Sequence, residues 1–231
     1  MRIGIIKSGG RRAVGAQICG TRQRLSLQDE QTSPAERPIH LACLLITFLL
    51  ASCTTPDRDH HIVISAKEQK LALLDKGNLL AVYPISTSKF GLGDRRGTGW
   101  TPLGELEIAD KIGDGMPIGT VFKDRHRTGE IVPVDSPGRD PIVTRILWLR
   151  GREPQNANAY GRMIYIHGTP EERNIGRPAS YGCIRMRSID IIHLYDLVGK
   201  GAEVTIVDQP LDAVVPIPHV ASQVAQISHG D

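Results

Sequence analysis

His167-Gly168-Thr169, then Ile175-Gly176-Arg177-Pro178, then Ser180-Tyr181-Gly182-Cys183-Ile184-Arg185-Met186: these three runs decide how the 231-residue sequence is read. The histidine closes an apolar stretch, Met163-Ile164-Tyr165-Ile166, of the kind that forms a buried strand. The cysteine follows sixteen residues later, in a tight Ser-x-Gly-Cys turn. Of the four cysteines, Cys19 and Cys43 lie in or before an apolar leader and Cys53 stands at its end. Cys183 is therefore the thiol left to the body of the chain. An isolated cysteine is ordinarily a small buried hydrophobe. A lone cysteine with a histidine available, in a glycine-bearing turn, is the arrangement expected of a thiol nucleophile and its base.

Outward from this motif the chain reads as β. Ile62-Val63-Ile64-Ser65 is a short apolar strand. Leu71-Ala72-Leu73-Leu74 and Leu79-Leu80-Ala81-Val82-Tyr83 flank Asp75-Lys76-Gly77-Asn78, a turn signal that predicts a hairpin. Leu103 to Ala109 alternates apolar and polar, and Ile146-Leu147-Trp148-Leu149 and Val204-Thr205-Ile206-Val207 complete the series. Many short strands separated by Gly and Pro predict a mainly β fold, an antiparallel sandwich or barrel. One helix is expected after the cysteine, capped by Ser188, with Asp190 in its first turn. Its apolar stripe is Ile191, Leu194, Leu197 and Val198, and Gly199 and Gly201 stop it. His193 on that helix reads as structural.

The amino-terminal part is of another kind. Leu41 to Ala51 is an uncharged apolar run of eleven residues, too short for the roughly 20 that a helix needs to span a bilayer. It has the length of a signal-peptide core, with Arg37 as the nearest preceding positive charge. It ends in Leu50-Ala51-Ser52-Cys53, which resembles a bacterial lipobox, so Cys53 is the expected lipidation site; an ordinary secretory signal cut nearby is the alternative. Thr54 after that cysteine favours sorting to the outer membrane. The stretch from Met1 to Pro38 is long for a signal n-region, as a misassigned start codon would leave it. Residues 1–52 are thus expected to be leader, 53–60 a tether, 61–208 one catalytic domain, and the Pro-containing tail 209–231 a flexible extension.

Charge excludes one class of partner. The leader holds seven Lys/Arg against three acids, and the remainder 21 against 22, so the formal +3 belongs to the leader and no cationic patch for nucleic acid remains. His60-His61 is read as solvated rather than metal-binding, and no metal-ligand motif lies near the core. Gly97-Thr98-Gly99 and Gly113-Asp114-Gly115 lack the helix and Lys-Ser/Thr of a phosphate loop.

The three opening runs resemble the signature of the bacterial L,D-transpeptidases, the YkuD-type catalytic domain, and Thr101-Pro102-Leu103-Gly104 is similar to that family's upstream Thr-Pro-x-Gly segment. The resemblance spans about residues 61–208. It implies the fold above, no cofactor, and a lipid-anchored enzyme of the cell envelope that acts on peptidoglycan stem peptides. It implies Cys183 as nucleophile, His167 as base, the Gly168 carbonyl as the group that orients the ring, and main-chain N–H groups around Gly182 and Cys183 as oxyanion donors. A thiol near pKa 8.5 is only a few per cent thiolate at pH 7, so the base must take its proton or hold an imidazolium–thiolate pair. Arg185 has two readings, a clamp on a substrate carboxylate or a brace paired with an acid. Ser180 reads as a local backbone partner or a group that orients the turn. Tyr181 stands where the family usually has His, which touches substrate preference more than the reaction. Water in place of an amine acceptor would give a carboxypeptidase or cross-link hydrolase, and loss of activity would give a murein-binding lipoprotein. Cys183 and His167 are both retained, which favours the enzyme. The oligomeric state stays open.

Overall fold

The computed structural model describes residues 55–215; the leader with Cys53, and the tail beyond 215, lie outside the described residues. Among the described residues ten strands and one α-helix follow in order: β1 His60–Ser65, β2 Lys70–Asp75, β3 Asn78–Pro84, β4 Gly104–Ile112, β5 Thr120–Lys123, β6 His126–Ile131, β7 Ile142–Gly151, β8 Tyr165–Gly168, β9 Ile184–Met186, α1 Ser188–Leu197 and β10 Glu203–Val207. They form one sheet in the order β3-β2-β1-β10-β4-β7-β5-β6, with β8 pairing β7 and β9 pairing β8. The mainly β class and the single helix after Cys183 are as expected. The sheet itself is mixed, because β1 pairs β10 and β8 pairs β9 in parallel. Strand-and-turn patterns fix hairpins but carry nothing about which distant strands become neighbours.

Period-two alternation decides the core. Ile62 and Ile64 of β1, Leu71 and Leu73 of β2, Leu106 and Ile108 of β4, Leu147 and Leu149 of β7, and Val204 and Ile206 of β10 turn one way and meet Ile191, Leu194 and Tyr195 of α1. A smaller cluster on the opposite face joins Val63, Ala72 and Leu74 to Leu211 and Val215. The aromatic count is low, and the core is accordingly built from branched aliphatics.

Three strands carried no sequence signal. The β5–β6 hairpin turns on Asp124 and Arg125, both at positive φ although neither is glycine, and β6 is exposed along its whole length. β9 has only three residues. The helix also begins differently from expectation. Arg187 is the N-cap residue and Ser188 the first helical one. The carboxylate of Glu172, from the loop after β8, accepts the Ser188 N–H at 2.8 Å, which places an anion at the positive end of the helix. At the other end Lys111 Nζ donates to Tyr195 O (2.7 Å) and Val198 O (2.5 Å).

β7 organises the neighbourhood of the motif. It pairs β4, β5 and β8, and its register with β8 slips between Val143 and Ile146. At the slip Thr144 is fully buried with φ +73, a conformation costly for a β-branched residue. Its Oγ1 accepts from Gly119 N (3.1 Å) and donates to Ser188 Oγ (2.9 Å). Facing the bulge is Gly168, where an added Cβ would lie 2.7 Å from Val143 O. Only glycine lets β8 approach this closely.

The chain enters the sheet through Asp57. Its backbone N–H donates to Lys200 O (2.7 Å), and its carboxylate accepts from Gly199 N (2.6 Å), His60 N (3.2 Å) and the His60 ring (2.9 Å). Burial pushes this carboxyl up, but the Gly199 and His60 hydrogen bonds outweigh it and hold the group below its ordinary value. Its contribution to stability is therefore present at neutral pH and is lost as the pH falls below the usual carboxyl range near 4. Asp57→Ala is expected to lose about 1–3 kcal/mol in urea unfolding at pH 7. At pH 2.5 the two proteins should differ far less; an undiminished gap there would contradict this account.

Candidate active site

β8 and β9 run parallel with Ile166 opposite Ile184 and His167 opposite Arg185. Alternation sends Ile166 and Ile184 into the core, so His167 and Arg185 occupy the other face. Cys183 stands one residue ahead of β9 and two before Arg185, and it shares their face. Its side chain packs beside Phe122, Ile146 and Tyr165. The parallel register thus sets on one face of the sheet the thiol and imidazole that the sequence holds sixteen residues apart.

The turn before the thiol is held by side chains. Ser180 is buried; its Oγ donates to Cys183 O (2.5 Å) and accepts from Gly182 N (3.2 Å). Gly182 has φ +124, and a Cβ there would meet Trp100 O at 3.2 Å and Gly99 O at 3.3 Å. Its carbonyl accepts from Thr101 Oγ1 (3.0 Å), which in turn accepts from Ser88 N (3.0 Å). The upstream Thr-Pro-x-Gly segment therefore acts through Thr101 as a clasp on the Cys183 turn. With Gly182 N engaged by Ser180, the N–H groups of Tyr181 and Cys183 make no hydrogen bond among the described residues.

His167 is 4% exposed. Its Nδ1 lies 2.8 Å from Gly168 O; a carbonyl only accepts, so the proton is on Nδ1 and the Nε2 lone pair is available. Burial pushes the imidazole down to about 4, helped by the charge of Arg185, against the weaker opposing pull of Gly168 O and Asp140. Burial likewise pushes the Cys183 thiol up, although the Tyr165 backbone and the charges of Arg185 and Arg162 act the other way. The thiol donates to Met163 O at 3.4 Å. Both groups are uncharged at neutral pH.

Arg185 is 7% exposed and already engaged: Nη2 lies 2.5 Å from Asp140 Oδ2, and Nη1 donates to Ala179 O at 3.1 Å. That is the geometry of a brace. Asp140 also accepts from Thr169 Oγ1 (2.6 Å), which ties the His-Gly-Thr run to the same carboxylate. A second buried pair supports the other side of the turn: Arg162 Nη1 meets Asp94 Oδ1 at 2.6 Å, while Nη2 donates to Trp100 O at 2.5 Å. Asp140, Asp94 and Arg162 were invisible in the sequence, since each sits in a charged or glycine-rich stretch with no periodic or motif signal.

Beside the turn lies a cavity of about 620 Å³, lined among others by Lys89, Asp140, Arg177, Tyr181 and Arg185. The Tyr181 side chain is 64% exposed and packs on Phe90, with ring centroids 5.5 Å apart. His60 and His61 diverge: His60 turns to Asp57, while His61 Nε2 lies 2.7 Å from Thr205 Oγ1. His61, Glu105 and Glu203 bring ligand-type atoms within 4.8 Å of one another on the sheet face away from the core. There the Thr205 hydroxyl bridges His61 and Glu105. His193 Nδ1 is 2.7 Å from Tyr83 Oη, a structural contact.

Comparison with known proteins gives the family of the chain. The sequence family described as YkuD, L,D-transpeptidase catalytic domain, matches residues 59–206. The probable L,D-transpeptidase YbiS of Escherichia coli K12 is 32% identical over 162 residues, 68% of this chain and 48% of that protein. The putative L,D-transpeptidase YqjB of Bacillus subtilis 168 is 26% identical over 150 residues, 65% of this chain and 72% of that protein. The chain spans about half the length of the enterobacterial relatives that it matches. Among solved structures, an L,D-transpeptidase from Mycobacterium smegmatis is similar at 17% identity and a TM-score of 0.42, over 64% of this chain and 58% of that one. With well over half of its length matched by the family, the chain belongs to the L,D-transpeptidase catalytic-domain family.

Proposed function

We propose that this protein is a cysteine-dependent L,D-transpeptidase that acts on peptidoglycan stem peptides in the cell envelope. The observation that carries the reading is the shared face of Cys183 and His167, set by the β8–β9 register. His167 Nε2 takes the thiol proton as sulfur attacks the carbonyl of the third stem residue. The C–S bond forms, and negative charge moves to the carbonyl oxygen. The N–H groups of Tyr181 and Cys183 are the donors left for that oxyanion. Collapse of the tetrahedral species breaks the C–N bond, and the departing amine of the terminal residue carries away the proton held on His167. An acceptor amine then attacks the thioester and gives its proton to His167, which returns it to the leaving sulfur. The Gly168 carbonyl keeps the ring in the tautomer that both half-reactions require.

The resting pair is a neutral thiol and a neutral imidazole, so His167 acts as a general base in the acylation step rather than as half of a standing ion pair. An anchor at Cys53, with the domain held at the periplasmic face of the outer membrane, belongs to the same reading; it is supported by the lipobox and Thr54.

Cys183→Ala is expected to abolish the covalent adduct with a carbapenem, followed by intact-protein mass, while the thermal melt stays close to wild type. His167→Ala should slow adduct formation by about 10²–10⁴-fold. Native adduct rates in both variants would remove the assignment. The acylation rate should hold from neutral pH down to about pH 5 and fall below about 4, as Nε2 becomes protonated. Iodoacetamide should alkylate the thiol slowly at pH 7 and faster above about pH 9. An acid limb near 6.5 would instead indicate a solvated or ion-paired histidine. Radioactive palmitate should label the full chain but not Cys53→Ser, and an unlabelled wild type would overturn the anchor.

A further inference from the structure

The charges lining the cavity beside Tyr181 do not balance. Arg185 is matched by Asp140, and Glu171 by Arg173 at 3.0 Å. Lys89 and Arg177 are left, both exposed and both without a carboxylate partner among the described residues. The Arg177 guanidinium meets only the neutral amide oxygen of Asn174. Lys89 is held by aromatic groups. Its Nζ lies 4.5 Å from the Tyr181 ring centroid and 5.2 Å from that of Phe90, and it donates to Tyr181 Oη at 3.3 Å.

A surface lysine ordinarily spreads over many rotamers. Here two ring faces and one hydroxyl restrict it, and two of its three N–H donors stay free. Two uncompensated cations in one concave polar cavity attract an anion, and a carboxylate matches both a guanidinium and an ammonium. Tyr181, at the position where the family usually has His, supplies the ring on which Lys89 rests. Position matters as well. Tyr181 stands two residues before Cys183, a span of at most about 7 Å, and the carboxylate of a residue directly after the scissile carbonyl lies about 3.5 Å beyond it.

We propose that Lys89 and Arg177, with Tyr181 and Phe90 holding the ammonium in place, form an anion subsite for the C-terminal carboxylate of the acyl donor, on the residue expelled when Cys183 is acylated. The proposal rests on the acyl-transfer reading above and adds to it how the enzyme recognises the end of a stem peptide. Lys89 and Arg177 act here as specificity residues and take no part in bond making.

The test uses the full chain carrying Cys183→Ala, titrated calorimetrically with a stem tetrapeptide that ends in a free carboxylate and with its C-terminal amide. The acid should bind at least tenfold tighter than the amide, and raising NaCl from 50 to 500 mM should weaken the acid far more. Adding Lys89→Met and Arg177→Gln should bring the two ligands to within about twofold of each other. Both side chains are exposed, so the melt should not move. In the otherwise wild-type enzyme the same double change should raise KM for the acid donor about tenfold and leave kcat within about threefold. Equal binding of acid and amide, or a preference that survives the double substitution, would overturn the subsite. Failure of a carbapenem to acylate Cys183 in the wild type would instead refute the acyl-transfer reading and leave the binding comparison legible.

Discussion

The parallel pairing of β8 with β9 is the constraint on which this site depends. Neither strand is long: β8 has four residues and β9 three. A one-residue slip in either would turn His167 or Cys183 into the core and bring Ile166 or Ile184 out. Register is fixed from both sides. Within the core, Ile166, Ile184 and Met186 are fully buried and cannot be exchanged for polar neighbours. Outside it, Ser86 exchanges both backbone hydrogen bonds with Arg185, at 2.8 and 2.9 Å, and locks β9 lengthwise. The strained Thr144 bulge follows from the same requirement. β7 must leave its alignment with β8 where Gly168 approaches, and the two hydrogen bonds of the Thr144 hydroxyl hold the distortion in place.

Burial explains why Cys183 and His167 are uncharged and why charges ring them. A charged imidazole in this position would lose its hydration and would face the guanidinium of Arg185. Asp140 offsets that guanidinium at 2.5 Å, so the brace adds little net field. The same carboxylate bonds Thr169, and the arginine bonds Ala179 O, so one ion pair fixes both the loop after the histidine and the loop before the cysteine. Removing either partner would leave a buried charge alone, which costs far more than an intact pair contributes. Arg185 and Asp140 thus brace the two loops, and the ion pair is the second of the two readings the sequence left open for Arg185.

Much of this was legible in the sequence, and the reason differs by feature. Alternation in Ile62–Ser65, Leu71–Leu74 and Val204–Val207 reports a sheet with one face buried, so those strands could be read locally. The Asp75–Asn78 turn closes β2 and β3 as the Gly-containing signal implied. The β5–β6 hairpin could not be read, because an exposed strand needs no alternation and its Asp124-Arg125 turn lacks glycine or asparagine. Ser188 had the chemistry of a helix cap, yet the cap is Glu172, a tertiary partner sixteen residues away. The residues proposed as nucleophile, base and orienting carbonyl lie in short contiguous motifs, so the sequence could propose them. Asp140, Asp94 and Arg162 act across the fold, and a lone charge in sequence says nothing about its partner.

On the proposed reading, tyrosine at position 181 can change recognition while the reaction is kept. What the nucleophile turn needs from this residue is a backbone N–H and a conformation compatible with the Ser180 and Gly182 hydrogen bonds, and any residue other than proline meets that need. The phenol is turned toward Phe90 and Lys89, and it makes no hydrogen bond to Cys183 or His167. The side chain is therefore free to follow the shape and charge of the adjoining cavity. An imidazole there would offer a smaller ring beneath Lys89 and would add positive charge of its own on protonation. A tyrosine keeps the surface neutral and leaves the lysine as the charge that a donor meets. On the proposed reading the turn serves the chemistry through its main chain, and the side chain at 181 is left to set what is brought to it.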